Sequence, residues 1–452
     1  MTSLLSKRGQ WATRLGFLMA CAGSAVGLGN IWKFPYIAGM NGGGIFVLIY
    51  LACIAFVGVP IMICEFSIGR STQRSPVEAF KDLAKKGSFW PLVGWLGVLT
   101  GFVILSYYSI VAGWAMHYTM LSLTGFSGAE SSEAIAGIFG NLYVNGGLNI
   151  FWHAIFMVLT VSIVLGGVKG GIERASGVLM PLLFILMLIL FGRALTMPGF
   201  GKAVSFVFSP DASKLTPASV LEALGHSFFT LSLGMGAMLT YGSYVPRDRD
   251  LVKSAGLISL MDTGVALLSC LIMFPIIFSF GMDPQAGPGL VFKSMPIVFS
   301  QLPAGMLFST IFFLLLTFAA LTSAISLLEV VASFFIDTLG WKRRNAALVP
   351  GLLIFIFGIP SALSGGALGG LKFIGGRNFF DTMDYLASNW FLPLGGLFVA
   401  IFVGWIMDPK KVRKEFTASS KFASFYGIWF SCVRYFCPLA VGAVFLHLIG
   451  LI

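Results

Sequence analysis

The stretch Cys21-Ala-Gly-Ser-Ala-Val-Gly-Leu-Gly-Asn-Ile-Trp-Lys33 lies in the middle of the first long apolar segment of the chain. It is apolar enough to enter a lipid bilayer, but Gly23, Gly27 and Gly29 would weaken a continuous helix. Unpaired backbone groups are tolerated at bilayer depth only where they line a cavity or meet a ligand. The stretch therefore predicts either a transmembrane helix that is interrupted at a binding site or a helix whose glycines permit close packing.

The composition indicates an integral membrane protein. Hydrophobic residues make up 57% of the 452 residues and charged residues only 10%, a balance that a soluble core of this size does not need. The apolar runs are about 20 residues or longer, which indicates spanning helices and not the short alternating strands of a barrel. Eleven spans, numbered in chain order, are predicted at residues 15–38, 45–68, 90–123, 148–165, 172–195, 218–244, 254–280, 306–339, 346–363, 379–407 and 425–451.

The distribution of positive charge predicts the topology. Most of the 29 Lys and Arg residues lie in the N-terminal segment and in alternate loops on the same side of the membrane. Cytoplasmic loops carry such an excess, so we expect a multi-pass protein of the inner (plasma) membrane with a cytoplasmic N-terminus and, after eleven spans, an outer C-terminus. The net charge of +11 is thereby explained without a nucleic-acid partner. The expected partners are the lipid bilayer and a small solute.

A second glycine-interrupted patch, Phe229-Thr-Leu-Ser-Leu-Gly-Met-Gly-Ala237, lies at the centre of span 6. Spans 1 and 6 hold the same position in consecutive sets of five spans that enter the membrane from opposite sides. Paired discontinuous helices of this kind mark the binding site of many secondary transporters. We therefore predict an all-α integral membrane fold with an inverted repeat of spans 1–5 and 6–10. Its predicted units are residues 1–196, residues 197–407, and residues 408–452 with an inner loop and span 11.

Polar side chains near the two interruptions and in span 8 supply oxygen donors. Asn30 follows the first interruption, Thr230 and Ser232 lie at the second, and Thr322 and Ser323 form a pair in span 8. Amide, hydroxyl and freed carbonyl oxygens suit a hard cation such as a small alkali ion. Taken singly, each hydroxyl could instead bond back to its own helix, so the prediction depends on their convergence.

Asp262 is a carboxylate inside the apolar span 7. An intramembrane acid is costly to bury and is a functional-site hypothesis by default. The alternative is a solvated acid near an inner helix end, because Asp250 and Lys253 are close in sequence.

Several motifs follow one another along the chain, namely Trp11-Ala-Thr-Arg-Leu-Gly16, Gly23 to Asn30, Phe34-Pro35, Asn41-Gly-Gly-Gly44 and Phe229-Thr-Leu-Ser-Leu-Gly234. Together they resemble the neurotransmitter:sodium symporter family, and in particular its bacterial members that transport hydrophobic amino acids. The resemblance extends over nearly the whole chain. It implies the LeuT fold, with discontinuous helices 1 and 6.

The resemblance implies two sodium ions per substrate and no organic cofactor. Asp262 stands where relatives carry Asn. A fixed carboxylate can replace the chloride that some members need, so we expect chloride-independent transport. The implied ligands of sodium site 1 are Ala25, Asn30, Thr230 and Asp262, and those of sodium site 2 are Gly23, Val26, Ala319, Thr322 and Ser323.

The substrate class follows from a residue that is missing. Monoamine-transporting relatives carry an Asp in the first interruption, and the matching position here is Gly27. The resemblance therefore implies a substrate that itself contains a carboxylate group. A largely apolar pocket with an adaptable Met favours neutral hydrophobic L-amino acids, both aliphatic and aromatic. The implied pocket residues are Ala25, Gly27, Gly29, Ile104, Tyr108, Phe229, Ser232, Met235, Ser323 and Leu327.

The resemblance also implies two gates. Lys33 and Asp384 match the outer charged pair of the family, and Arg8 and Asp337 match the inner pair. Exposed ion pairs contribute only about 0 to 1 kcal/mol each. They would therefore act as gates only if their contacts differ between two conformational states.

We expect sodium-coupled symport of hydrophobic L-amino acids by alternating access, carried out by a monomer without enzymatic activity. An ion channel and a proton-coupled amino-acid transporter are the alternatives. The sequence has no repeated filter motif and no Ser with His in the interruptions. The glycine run is not followed by the Lys-Ser or Lys-Thr of a phosphate-binding loop.

Overall fold

The structure is a computed structural model that describes residues 9–126, 131–281 and 290–451. Every regular element in this part of the chain is helical. Nine of the described helices are long and apolar enough to cross a membrane, and a tenth span consists of two helices, Arg14–Ala25 and Gly29–Met40, that meet at a bend of 50°. The nine continuous spans are Gly44–Thr72, Pro91–Leu123, Gly146–Leu165, Val168–Leu195, Leu251–Ser279, Gly305–Leu339, Arg343–Leu363, Phe379–Ile406 and Ala423–Leu448.

Span 6 is the second interrupted span. It consists of the helices Pro217–Thr230 and Ala237–Gly242, of 14 and 6 residues, and each is too short to cross the hydrocarbon core alone. With these two broken spans, the described helices are consistent with the eleven predicted spans. Predicted boundaries differ by a few residues: span 9, for example, begins at Arg343 and not at residue 346. Hydropathy locates the apolar part of a helix and misses a polar first turn.

Spans 3 and 8 form the centre of the bundle. They pack against each other along their lengths and are the most buried of the nine continuous spans described above. Span 1 contacts spans 5, 7 and 8. Spans 4, 5 and 11 are the least buried, and large apolar side chains such as those of Phe56, Ile428 and Leu439 are exposed. Such a surface is suited to contact with lipid.

Shorter helices lie in the connections between spans. Three of them, between spans 3 and 4, 5 and 6, and 7 and 8, are on one side of the bundle: Ser132–Val144, Phe200–Phe208 and Met295–Gln301. Two others, between spans 2 and 3 and between spans 10 and 11, are on the other side: Pro76–Leu83 and Pro409–Thr417.

The interruption in span 6 has a local cause. Ser232, Gly234 and Gly236 have positive φ angles of 53°, 79° and 75°, which an α-helix does not accommodate. A Cβ atom on Gly234 would lie 2.3 Å from the carbonyl oxygen of Leu392. Glycine is therefore needed both for the backbone conformation and for the close approach of span 10.

Side chains of neighbouring spans pair the backbone groups that the interruptions leave free. The carboxylate of Glu65 in span 2 accepts hydrogen bonds from the N–H groups of Gly234 (2.7 Å) and Leu239 (3.1 Å). At the first interruption, the N–H of Leu28 donates to the hydroxyl of Tyr108 in span 3 (3.3 Å). Because buried backbone groups need such partners, these contacts hold the two breaks open without unsatisfied N–H groups at these positions.

Candidate functional site

Asp262 is fully buried in span 7 and contacts both interrupted spans. Its Oδ1 atom accepts hydrogen bonds from the side-chain amide of Asn30 (2.7 Å) and from the hydroxyl of Thr230 (2.9 Å). Its Oδ2 atom accepts from the hydroxyl of Tyr50 (3.2 Å). The carboxylate therefore lies inside a buried polar cluster. This burial excludes the alternative that Asp262 is a solvated acid near an inner helix end.

Asn30 connects this cluster to the first interruption. Its Oδ1 atom accepts a hydrogen bond from the N–H of Gly27 (3.0 Å), and its Nδ2 atom also donates to the carbonyl oxygen of Asp262 (3.1 Å). Ala25, the remaining residue predicted for sodium site 1, is the last residue of the helix Arg14–Ala25. The last carbonyls of a helix have no partner within it, so they are available to a ligand.

Four of the five residues predicted for sodium site 2 also meet, namely Gly23, Ala319, Thr322 and Ser323. The Ser323 hydroxyl lies 3.4 Å from the carbonyl oxygen of Gly23 and 3.3 Å from that of Ala319. The Thr322 hydroxyl donates to the same Ala319 carbonyl (3.0 Å). Val26 directly follows the helix and has an extended ψ of 104°. Carbonyl and hydroxyl oxygens of spans 1 and 8 thus come together behind the first interruption.

The two interruptions contact each other directly. The Ser232 hydroxyl in span 6 donates to the carbonyl oxygen of Ser24 in span 1 (2.8 Å). The Ser24 hydroxyl in turn donates to that of Ser326 in span 8 (2.7 Å). These hydrogen bonds therefore connect the two breaks to each other and to span 8.

A cavity of about 30 Å³ lies between the two interruptions and spans 3 and 8. Every residue that the resemblance assigns to the substrate pocket lines it, together with Ser24, Thr230 and Ser326. Its volume suits about one or two water molecules, so a larger solute can enter only if the walls move apart. Met235 is the most adaptable part of the wall, because its side chain is flexible and two glycines flank it.

Phe229 and Tyr108 separate this cavity from a second one of about 220 Å³, because both side chains line both cavities. Lys33 and Asp384, the predicted outer pair, line the second cavity. In the described chain they form no ion pair with each other, and the Lys33 ammonium lies 5.0 Å from the ring centre of Phe229. The structure therefore brings the two residues to one cavity without joining them.

A third cavity, of about 560 Å³, lies on the opposite side of the bundle. Asp337, one member of the predicted inner pair, lines it and accepts a hydrogen bond from the N–H of Ser75 (2.6 Å). Arg8, the other member, lies outside the described residues.

A charge pair between a fully buried acid and a partly exposed arginine lies beside this cavity and was not predicted. Arg343 contacts Glu329 through two N–H···O bonds of 2.5 and 2.8 Å, and Glu329 also accepts from the Tyr244 hydroxyl (2.6 Å). The guanidinium further donates to the carbonyl of Val164 (2.7 Å). These contacts join spans 4, 8 and 9 to the end of span 6. Glu329 was detectable as an intramembrane acid, but nothing in the spacing pointed to Arg343, which precedes the apolar run of span 9.

Glu173, at the start of span 5, holds the beginning of span 1. Its carboxylate accepts hydrogen bonds from the N–H of Ala12 (2.8 Å) and from both the N–H and the hydroxyl of Thr13 (3.0 and 2.8 Å). A Cβ atom on Gly16 would lie 2.1 Å from this carboxylate, so the approach requires glycine. Sequence reasoning missed this contact because the acid lies in a charged loop among other solvated candidates.

The profile of the sodium:neurotransmitter symporter family matches residues 8–133 and 135–451. The chain is 41% identical to the sodium-dependent transporter YhdH of Bacillus subtilis over 444 residues, 98% of either chain. It is 36% identical to a sodium-dependent transporter of Haemophilus influenzae over 455 residues, 99% of either chain. The crystal structure of MhsT in complex with L-phenylalanine superposes with a TM-score of 0.89 at 44% identity, covering 97% of this chain and 99% of that one. The chain therefore belongs to the sodium:neurotransmitter symporter family, as its motifs predicted, and has the LeuT fold.

Proposed function

We propose that this transporter couples the movement of sodium to the uptake of neutral hydrophobic L-amino acids, aliphatic and aromatic, by alternating access. The observation that carries the proposal is that both interrupted spans open on one cavity beside the Asp262 cluster. Thr230 lines that cavity and donates to Asp262, so a solute carboxylate and a cation would meet there. Binding of each would then depend on the other.

The donor set suits sodium as a co-transported substrate. Hard alkali ions prefer oxygen ligands, and the buried carboxylate of Asp262 offsets a positive charge that would otherwise be costly away from water. We assign two ions and no organic cofactor. The first ion would be held by Ala25, Asn30, Thr230 and Asp262, and the second by Gly23, Val26, Ala319, Thr322 and Ser323.

The cavity supports a neutral, hydrophobic amino acid. Gly27 leaves the first interruption without an acid to pair a ligand amine, and Ile104, Met235 and Leu327 make part of the wall apolar. The substrate carboxylate would meet the first sodium ion and the Tyr108 hydroxyl, and its amine would meet carbonyls of the interrupted helices. The similar MhsT was crystallised with L-phenylalanine, which supports an aromatic amino acid among the substrates.

Alternating access requires a gate on each side of the cavity, and a charged pair acts as a gate only if its contacts differ between states. The proposed topology places the N-terminus in the cytoplasm and the C-terminus outside the inner membrane, with repeats at residues 1–196 and 197–407 and span 11 within 408–452. A monomer would be the transport unit. The outer gate would comprise Lys33, Asp384, Phe229 and Tyr108, and the inner gate Arg8, Asp337, Glu329 and Arg343.

Uptake of labelled L-amino acids into proteoliposomes tests the proposal. An inward sodium gradient should drive accumulation of phenylalanine, leucine and valine, and replacement of sodium by choline should abolish it. Unlabelled amino acid inside the vesicles should accelerate entry by counterflow. A conductance without saturable counterflow would indicate a channel. Uptake that needs a proton gradient but no sodium would indicate a proton-coupled transporter.

Replacing Met235 with Phe is expected to narrow the substrate range. Met235 is 4% exposed and lines the cavity, and a rigid ring there would leave less room for a bulky ligand. Tryptophan should lose about tenfold in affinity relative to valine. Competition by tryptophan, leucine and valine against a labelled ligand measures this effect. Met235→Leu, which conserves volume, serves as the control, and unchanged competition by all three amino acids would refute the role of Met235.

Replacing Arg343 with Ala is expected to favour opening of the inner side. The change removes the cationic partner of the fully buried Glu329, and breaking such a pair costs about 3 to 5 kcal/mol. Cys21, which is fully buried in the helix Arg14–Ala25, reports the opening. Its labelling by a water-soluble maleimide, followed by peptide mass spectrometry, should accelerate at least about tenfold. Arg344→Ala removes an exposed neighbouring charge, and equal labelling rates in the two variants would contradict the inner-gate assignment.

A further inference from the structure

The helix Pro409–Thr417 connects spans 10 and 11 and has two chemically different faces. It begins three residues after the end of span 10 at Ile406, and Asp408 caps it by accepting a hydrogen bond from the N–H of Lys410 (2.9 Å). At 100° per residue, the cations fall on one side of the helix and the buried residues on the other. The buried residues are Val412, Glu415 and Phe416, and the exposed cations, here named the basic face, are Lys410, Lys411, Arg413 and Lys414.

The only acid within this helix is removed from its surface. Glu415 contacts the guanidinium of Arg70 at 2.6 Å, and the Arg70 side chain is fully buried. Arg70 also donates to the carbonyl oxygens of Glu415 and Arg249. No carboxylate in the described chain lies within ion-pair distance of the basic face. Four neighbouring positive charges are therefore exposed together, while the contact between Glu415 and Arg70 holds the opposite face of the helix against the protein.

Aromatic contacts place the helix at the boundary of the apolar spans. Phe416 stacks on Trp429 at a ring-centre distance of 4.6 Å. Trp405, at the end of span 10, is half exposed, and the Arg434 guanidinium lies 4.1 Å from its ring centre. Phe425, at the start of span 11, is also exposed. Exposed aromatic side chains next to cations are typical of the level at which lipid headgroups lie.

We propose that the basic face binds the headgroups of anionic phospholipids in the leaflet on the N-terminal side of the membrane. Basic clusters directly beside a span attract anionic lipid, and an interfacial helix with cations on its polar face is suited to lie in that plane. A protein partner is less well matched, because the face carries no exposed apolar anchor of its own and borders lipid-facing spans. This inference does not depend on which solute is transported.

Titration of the purified protein with phosphatidylglycerol or phosphatidylcholine, followed by native mass spectrometry, tests the inference. The unmodified chain should prefer phosphatidylglycerol, and the double variant Lys410→Gln/Lys414→Gln should bind it about 25-fold more weakly, because each basic residue near an anionic surface contributes about fivefold. Binding of phosphatidylcholine should not change. Raising the salt concentration should weaken only the phosphatidylglycerol component.

The double variant Lys85→Gln/Lys86→Gln is the matched control, since it removes two exposed lysines from another loop on the same side. It should retain the preference for phosphatidylglycerol. Equal losses in the two variants would mean diffuse surface charge and would overturn the inference, as would an unchanged preference in Lys410→Gln/Lys414→Gln. Thermal unfolding in lipid-free detergent should be the same for all three proteins, which excludes misfolding as the cause.

Discussion

Replacing Asp262 with Asn is expected to weaken sodium binding at least about a hundredfold. A unit charge about 4 Å from an ion contributes about 4 kcal/mol at an effective dielectric constant of 20, which corresponds to on the order of a thousandfold in affinity. An asparagine at this position keeps an oxygen acceptor for Asn30 and Thr230, and its amide can donate to the Tyr50 hydroxyl. The loss should therefore appear in sodium affinity and not in folding.

Sodium-dependent binding of a labelled amino acid measures this effect, with thermal unfolding as the check on folding. Asp381→Asn is the matched control, because this exposed acid lines the cavity of about 220 Å³ and not the cavity of about 30 Å³ between the two interruptions. The unmodified chain should transport equally well when gluconate replaces chloride, since its own carboxylate supplies the negative charge. Equal sodium affinity in Asp262→Asn, or collapse of wild-type uptake in gluconate, would be incompatible with this role of Asp262.

Replacing Gly27 with Ala is expected to weaken amino-acid binding by about 10-fold to 100-fold. The added Cβ atom would lie 2.7 Å from the Ser323 hydroxyl oxygen and 3.1 Å from that of Tyr108. Both hydroxyls line the cavity, so the clash displaces groups that the proposal assigns to sodium and to substrate. Overpacking of this kind costs about 1 to 3 kcal/mol, which equals the stated loss in affinity. Equilibrium binding of labelled L-phenylalanine at saturating sodium is the measurement.

Gly264→Ala provides the control for the same chemical change in another span. Gly264 lies within the helix Leu251–Ser279, and apart from its chain neighbours and the helix's own backbone no atom lies within 4 Å of the Cβ position there. Alanine is favoured over glycine in a helix interior by about 0.5 to 1 kcal/mol, so this variant should bind normally and unfold no earlier than the parent. If Gly27→Ala bound L-phenylalanine as well as Gly264→Ala did, the cavity would not be the substrate site.

The features that could be predicted from the sequence are those with a local physical cause. Long apolar runs give spans because the bilayer fixes their length, and the positive φ angles at Gly234 and Gly236 agree with the glycine-rich interruption in span 6. Asp262 could be singled out because a charge in an apolar span is costly. Its neighbours Asn30 and Thr230 were then assigned by family resemblance, and the structure places both within hydrogen-bond distance of it.

The features that escaped prediction depend on contacts between distant segments. Tyr50 lies 212 residues from Asp262, and nothing in its own sequence neighbourhood marks it as a partner. Glu173 meets the start of span 1 only after the helices have packed. The contact between Arg343 and Glu329 joins the polar first turn of span 9 to span 8. Hydropathy places Arg343 outside the predicted span 9, so no feature of the sequence indicated that the two residues pair. The outer pair shows the converse: the resemblance brought Lys33 and Asp384 together, and they do line one cavity, but in the described part of the chain no ion pair joins them.

The most direct test of the central claim, that sodium and an amino acid bind to one coupled site, is a linkage measurement on the purified protein. The affinity for L-phenylalanine is measured as a function of sodium concentration, and the affinity for sodium as a function of L-phenylalanine concentration. Because coupling between two ligands is reciprocal, each should raise the affinity for the other by the same factor, and Asp262→Asn should reduce that factor. L-phenylalanine affinity that is the same with sodium and with choline would contradict the claim.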